Sequence, residues 1–372
     1  MTPGGDVDSL THAALGATIG ALGFRRSLGS RALMAGAVYA TVPDVDMVVS
    51  FGGSWASLQW HRSVTHSLLF VVATAPILGW LGARIHRRWP PGRAREASLE
   101  GVHESSWVQW GLLAFFAMLS HVLLDAFTSY GTQLLWPFSI ERVAWDGVAI
   151  VDPLFTFPLL VAVGTALSRR RAETTVRVAS ATALLICAGY LFGGLALRAE
   201  ATAHVRDALQ DPSAVRSDTV EVQRIRALPT LGNLLLWRVL VDEGGGTIGV
   251  THVSLLTRQV HGYTRWESVT GPEVDAARAR PESEIAGWFL DGWGVWTSEP
   301  SGAETRRVRW HDLRYGHPLE ADSSLWGAEY IVDTERGLAT SAEWTRWGVS
   351  VFGPSSFAAH WRLLVSPASH DP

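Results

Sequence analysis

The sequence has no lysine, and all 31 basic side chains are arginine. It has one cysteine, Cys187, inside an apolar run, which excludes an intramolecular disulfide and a thiolate metal cluster. Charge is scarce too. Only 18% of the 372 residues are charged, against the roughly 25% usual in soluble domains, and the formal net charge is −4. That balance excludes a nucleic-acid-coating protein and a disordered acidic tail. Arg25 follows the first apolar run instead of preceding it, so no cleavable signal is expected. No internal repeat or low-complexity tract occurs.

What is abundant is apolar sequence, 47% of the chain, and it is unevenly spread. Hydrophobic runs crowd residues 1–197, whereas 198–372 mixes charge, Gly and Trp. An ordinary one-domain soluble enzyme is thereby excluded. The expected fold is a polytopic α-helical membrane domain of about six spans (1–197), followed by an extramembrane, β-rich α+β domain (198–372). The runs are Leu10–Phe24, Leu33–Val49, Ser67–Ile85, Trp107–Phe127, Val151–Leu167 and Val176–Leu197, several near the ~20 residues that a spanning helix needs. Leu10–Phe24 is short enough to be tilted, half-inserted or re-entrant.

Arginine sorts the loops. Arg25, Arg26 and Arg31 lie between runs one and two. Arg84, Arg87, Arg88, Arg93 and Arg95 lie between three and four, and Arg169, Arg170, Arg171 and Arg177 between five and six. The alternate loops, 50–66 and 128–150, hold only Arg62 and Arg142. The basic loops are therefore expected in the cytoplasm of a bacterial inner membrane, with both termini and residues 198–372 outside.

In the second half, Ala199–Leu209 reads as helix, followed by a connector to Pro229. Leu234–Val241 and Ile248–Leu256 flank Glu243-Gly244-Gly245-Gly246-Thr247 as a β-hairpin. Ala286–Trp296, Arg306–Leu313 and Ala328–Val332 are further strand candidates. Trp237, Trp266, Trp288, Trp293, Trp296, Trp310, Trp326, Trp344, Trp347 and Trp361 fall here, as core and membrane-facing belt or as a sugar or lipid platform.

Ionisable residues in hydrocarbon are costly, so each one in the first half invites a reason. His12 opens run one, Asp44 and Asp46 close run two, and His61 with His66 open run three. His121 and Asp125 close run four, and Asp146 and Asp152 open run five. The topology drawn from arginine alone puts all of these at the outer face. His121 and Asp125, four apart, share one helical face and can close on one ion. Imidazole with carboxylate suits zinc, with manganese or iron as alternatives, and the set suffices for one or two ions. Two-metal sites polarise a phosphoryl or acyl oxygen and generate hydroxide near neutral pH. Simpler roles exist for single members: His12 as an interfacial anchor, Asp44 as a helix end after Pro43, Arg62 as an interfacial charge instead of a phosphate clamp. Asp152 before Pro153 is an N-cap pattern. The loop Thr128–Phe138 reads either as a turn whose N–H groups face an oxyanion or as a re-entrant lid.

Pro43-Asp44-Val45-Asp46, His61-Arg62-x-x-Thr65-His66-Ser67-Leu68, His121-x-x-x-Asp125 and Leu135-Trp136-Pro137, with Leu10-Thr11-His12, resemble the inner-membrane metal-dependent hydrolase family. That family includes a LexA-regulated bacterial member. The resemblance covers about Leu10 to Phe155, and Met47 stands where many members carry His. It implies a membrane-bound, metal-dependent hydrolase. A weaker similarity joins Asp46, His61 and His121/Asp125 to zinc-dependent phospholipases C and single-strand nucleases, implying a phosphoester or phospholipid-type substrate. On this reading His12, Asp46, His61, His66, His121 and Asp125 bind metal, zinc first. Arg62 neutralises the phosphate, and Asp44 or Asp146 acts as general base or orients a ligand. The expected partners are membrane lipid and that substrate, not nucleic acid. Two other readings use the same cluster: a transporter or ion-binding protein, and a non-catalytic envelope factor with a structural metal.

Overall fold

The computed structural model describes residues 5–88, 107–168, 171–210, 222–317, 323–347 and 354–365. Arg93, Arg95, Arg169, Arg170 and most of the connector before Pro229 lie outside them. The chain forms two units, Met1–Val48 with Arg62–Gly193, and Val49–His61 with Gly194–Pro372.

In the helical unit, α1 (Gly5–Ile19) passes through a π turn (Gly20–Phe24) into α2 (Arg25–Leu28). Next come α3 (Arg31–Ala40) and a 3-10 segment, Pro43–Gly52. α4 (Ser54–Trp60) and a 3-10 turn (Val64–His66) lead to α5 (Leu68–Arg88), α6 (Trp107–Phe127), α7 (Pro153–Leu167) and α8 (Glu173–Gln210). α6 is the buried centre: Leu113, Ala114, Ala117, Met118 and Val122 share one core with Ala32 and Tyr39 of α3 and Val71 and Ala75 of α5. Small residues let the backbones approach. A Cβ on Gly79 would lie 2.6 Å from the Cα of Gly111, and one on Gly16 or Gly36 would strike the other's carbonyl oxygen. These crossings fix how closely α5 meets α6 and α1 meets α3.

The expectation of six spans is corrected. Among the described residues three helices are long and apolar enough to cross a membrane: Leu68–Arg88, Trp107–Phe127 and Glu173–Gln210. A fourth arises if Arg31–Ala40 and Pro43–Val49, bent by 42°, count as one. The physical reasons are local. A π turn interrupts the first run, and Pro43, which lacks an N–H, marks the bend in the second. α7 has 15 residues, about 22 Å of helix against ~30 Å of hydrocarbon. The helix read at Ala199–Leu209 is the end of α8, continuous with the sixth run.

The C-terminal unit holds two four-stranded antiparallel sheets, each a meander in sequence order. The first is β1 (Arg224–Pro229), β2 (Leu236–Gly244), β3 (Thr247–Ser254) and β4 (Gln259–Glu267). After α9 (Pro272–Arg278) and α10 (Pro281–Leu290) comes the second: β5 (Gly294–Pro300), β6 (Thr305–Asp312), β7 (Trp326–Asp333) and β8 (Leu338–Arg346). α11 (Pro354–Val365) follows. The β2–β3 hairpin forms where expected, turning on Gly245 and Gly246 at φ +61° and +83°. Ala286–Trp296 is not one strand. Its first half completes α10, because Pro281 occupies the first turn with Glu282 and Glu284 and buries Ala286, Phe289 and Leu290; Asp291 then turns left-handed at φ 52°.

Val274 and Ala277 of α9 and Ala286 and Leu290 of α10 pack on Trp296, Val308, Ala328 and Tyr330 of the second sheet. Trp237, Trp293 and Trp296 are buried core, whereas Trp361 is 64% exposed. α4 packs here as well. Trp55 joins this core, its indole N–H donating to the Ala342 carbonyl at 3.1 Å. The segment 49–61, which the sequence groups with the apolar half, therefore belongs to the C-terminal unit.

Candidate metal centre

Five side chains from four stretches of the helical unit converge. His12 lies within α1, Asp44 in the 3-10 segment after α3, His66 in the turn before α5, and His121 and Asp125 on α6. Two groups of potential ligands result, His12–His121–Asp125 and Asp44–His66–His121, which share His121. His66, His121 and Asp125 are fully buried and His12 is 1% exposed, while the Asp44 side chain is 18% exposed.

Partners outside the cluster fix both imidazoles. His121 Nδ1 lies 2.6 Å from the Ala40 carbonyl near the end of α3, so that nitrogen carries the proton and Nε2 presents a lone pair. His66 Nδ1 lies 3.1 Å from Asp46 Oδ2 and 3.1 Å from Thr65 Oγ1, so its Nε2 is the nitrogen turned into the cluster. The two Nε2 atoms face each other at 3.1 Å. Asp125 Oδ2 stands 3.2 Å from His66 Nε2 and 3.4 Å from His121 Nε2; Asp44 Oδ1 is 3.8 and 3.5 Å from the same atoms. His12 stacks on the His121 ring at 3.6 Å and reaches Asp125 Oδ1 at 3.2 Å. Ring nitrogens and carboxylates converging on one point call for a shared positive charge, which a proton on His66 or a metal ion supplies. Tetrahedral zinc with bonds near 2.1 Å sets its ligand atoms about 3.4 Å apart, which the observed 3.1–3.8 Å separations bracket. Neither Asp125 oxygen accepts a well-aligned hydrogen bond among the described residues. The donor set fits a divalent ion.

Asp46 stands behind this set. Its Oδ2 receives the His66 ring, the Arg62 backbone N–H at 2.9 Å and the Thr65 hydroxyl at 2.9 Å. Arg62 is buried, with left-handed backbone at φ 60°. Its Nη2 pairs with Asp125 Oδ1 at 3.1 Å, Nη1 donates to Thr128 Oγ1 at 2.9 Å, and the guanidinium lies over Tyr130 at 5.2 Å.

His61 and Asp146 are in neither ligand group. His61 closes α4 and is assigned to the C-terminal unit. Asp146 is buried at φ 51° between Trp145, whose N–H donates to Ala126, and Gly147, whose N–H donates to Phe127; its backbone closes the end of α6. Asp152 caps α7 through Leu154 N and Phe155 N and receives the Tyr190 hydroxyl at 2.7 Å. The loop after α6 spends its N–H groups internally. Thr132 donates to Val143, Gln133 to Arg62, Trp136 to Gln133 and Phe138 to Leu135, so these amides do not form an oxyanion cradle. Sequence reasoning gave Thr65 no role of its own, read Thr128 and Tyr130 only as parts of a loop, and missed the Ala40 carbonyl. The Thr65 hydroxyl beside His66 was the one readable signal among them.

Residues 7–199 match the family described as YdjM inner membrane protein. Inner membrane protein YbcI of Escherichia coli K12 is 31% identical over 136 residues, 36% of this chain and 69% of that protein. Bacillus subtilis YfhP is 23% identical over 347 residues, 86% of this chain and 95% of that protein. No solved structure matches significantly.

Proposed function

The chain belongs to the YdjM inner membrane protein family, and from that premise we propose that it is a metal-dependent hydrolase of phosphoester or phospholipid-type substrates. One observation carries the reading: two imidazoles with both Nδ1 positions engaged direct their Nε2 atoms at each other, 3.1 Å apart, among carboxylates. His12, Asp44, His66, His121 and Asp125 would hold one or two ions, zinc first. Such an ion polarises a phosphoryl oxygen and makes water a nucleophile near neutral pH. Asp46 keeps His66 in the binding tautomer. Arg62 offsets the charge of Asp125 and of an incoming phosphate. Asp44, the most open carboxylate of the set, turns only Oδ1 to the imidazoles, and its other oxygen would take the proton of the attacking water. The scarcity of arginine in residues 50–66 and 128–150 supports an extracytoplasmic site. Leu135, Phe138 and Ile140, exposed at 54%, 86% and 62%, give the loop after α6 a lipid-facing surface.

Elemental analysis of detergent-purified protein, followed by a phosphodiester and phospholipid hydrolysis panel on the same sample, tests the proposal. Stoichiometric transition metal and turnover are expected, both lost in the double variant His121→Ala, Asp125→Ala. Protein that lacks metal, or turnover indifferent to that variant, sinks it. A second reading, a structural metal in a non-catalytic envelope factor, draws on the near-complete burial of four of the five ligands. Metal removal that melts the protein, with no ester ever cleaved, favours it.

A further inference from the structure

The first sheet of the C-terminal unit carries a basic row. Arg238, His252 and His261 are direct cross-strand partners on β2, β3 and β4, so their side chains stand on one face. Arg238 and His252 are buried, at 4% and 2% exposure, and His261 is half-buried. The guanidinium lies against Gly316, where a Cβ would come within 2.6 Å of Nη2. Its Nε donates to the Leu313 carbonyl at 2.9 Å and Nη2 to the Ser323 carbonyl at 3.4 Å. Nη1 and the buried Nε2 of His261 have no hydrogen-bond partner among the described residues. α11 lies at this edge: the Leu364 carbonyl accepts from Ser254 Oγ at 2.7 Å, the His261 ring is hydrogen-bonded to the Leu363 backbone, and His360 comes with the helix. Burial, and then the charges of Arg238, His360, His261 and His317, hold His252 well below the usual imidazole range.

The nearby negative charge is already engaged. Asp312 accepts Arg314 Nε at 2.9 Å and Nη2 at 2.7 Å, and Trp326 Nε1 at 3.2 Å. Among the described residues Arg238 therefore has carbonyl acceptors alone, and Asp312 acts on it only through space, a costly arrangement for a buried cation. A metal is disfavoured beside a fixed guanidinium, and no three of these histidines approach as metal ligands do among the described residues. A guanidinium edge flanked by imidazoles suits a phosphate oxyanion.

We infer that the row Arg238–His252–His261, edged by His360, is a phosphate-binding site, taking either free phosphate or a phospholipid headgroup. It shares no residue with the candidate metal centre and does not depend on hydrolase activity.

Full-length protein in detergent is titrated with inorganic phosphate and, separately, with a soluble short-chain phosphatidic acid, with tryptophan fluorescence and thermal shift as readouts. Saturable binding is expected, weakened about tenfold by Arg238→Gln and several-fold by His261→Gln. Response to inorganic phosphate assigns free phosphate; response to the lipid alone assigns a headgroup. Should Arg238→Gln fail to fold, as near-UV circular dichroism would report, His261→Gln and His360→Gln decide. Absence of binding in both arms, or equal binding by wild type and the folded variants, overturns the inference.

Discussion

Asp46→Asn separates orienting a ligand from being one. Three donors meet on Asp46 Oδ2: the His66 ring at 3.1 Å, the Arg62 amide at 2.9 Å and the Thr65 hydroxyl at 2.9 Å. The amide keeps the shape and one acceptor oxygen but loses the charge that favours an Nδ1–H tautomer and a strongly donating Nε2 on His66. Loss of such an outer partner costs about 10–100-fold in metal affinity, or roughly 1.4–2.8 kcal/mol. Removal of a direct ligand should cost considerably more, so His121→Ala is the comparison. The assay is competition with a chromophoric chelator on detergent-purified protein, giving affinities for wild type, Asp46→Asn and His121→Ala. A second variant, Thr65→Val, removes one neutral hydrogen bond and should shift affinity by less than about tenfold. If Asp46→Asn binds as tightly as wild type, the tautomer argument fails. If it falls as far as His121→Ala, Asp46 is itself a ligand and the five-residue set is wrong.

Two further outcomes are expected. Gly36→Ala forces α1 and α3 apart at their backbone contact, costing about 1–3 kcal/mol; a lower melting temperature together with reduced metal content checks this, and an unchanged melt contradicts the packing. Burial, with Arg309 next, holds His311 down to about 4 from 6.5. Between these values the unfolded chain binds a proton that the folded domain refuses, so stability is full above about pH 6.5 and falls toward pH 4 by up to roughly 3 kcal/mol. Urea melts followed by tryptophan fluorescence should show this decline, and His311→Gln should flatten part of it.

Much of the centre was readable because helical periodicity does the placing. His121 and Asp125, four apart in an apolar run, could only share a face, and the arginine-poor side of the runs pointed to Asp44 and His66. What was not readable depends on irregular backbone. Asp46 has the same composition signal as Asp44, yet the 3-10 geometry after Pro43 turns it to the rear of His66. Ala40 contributes a carbonyl, which every residue has. His61 looked equivalent to His66 because their spacing was read as one loop into one helix; Trp60 instead ends a helix of its own. In the second domain the glycine turn disclosed the β2–β3 hairpin. Ala286–Trp296 deceived because its apolar residues suit strand and helix alike, and Pro281 with its acidic first turn decides for the helix.

The membership of residues 49–61 in the C-terminal unit has a consequence for how the protein is made. Trp55 leaves the ribosome 287 residues ahead of Ala342, its hydrogen-bond partner on β8, a delay of roughly 14–57 s at about 5–20 residues per second. Through that interval a short aromatic helix waits without its sheet while the segments on either side are being inserted into the membrane. Biogenesis thus has an order that a modular chain would not impose. The last domain to be synthesised completes a fold begun near the start, and a truncation between residue 197 and β8 strands Trp55 permanently.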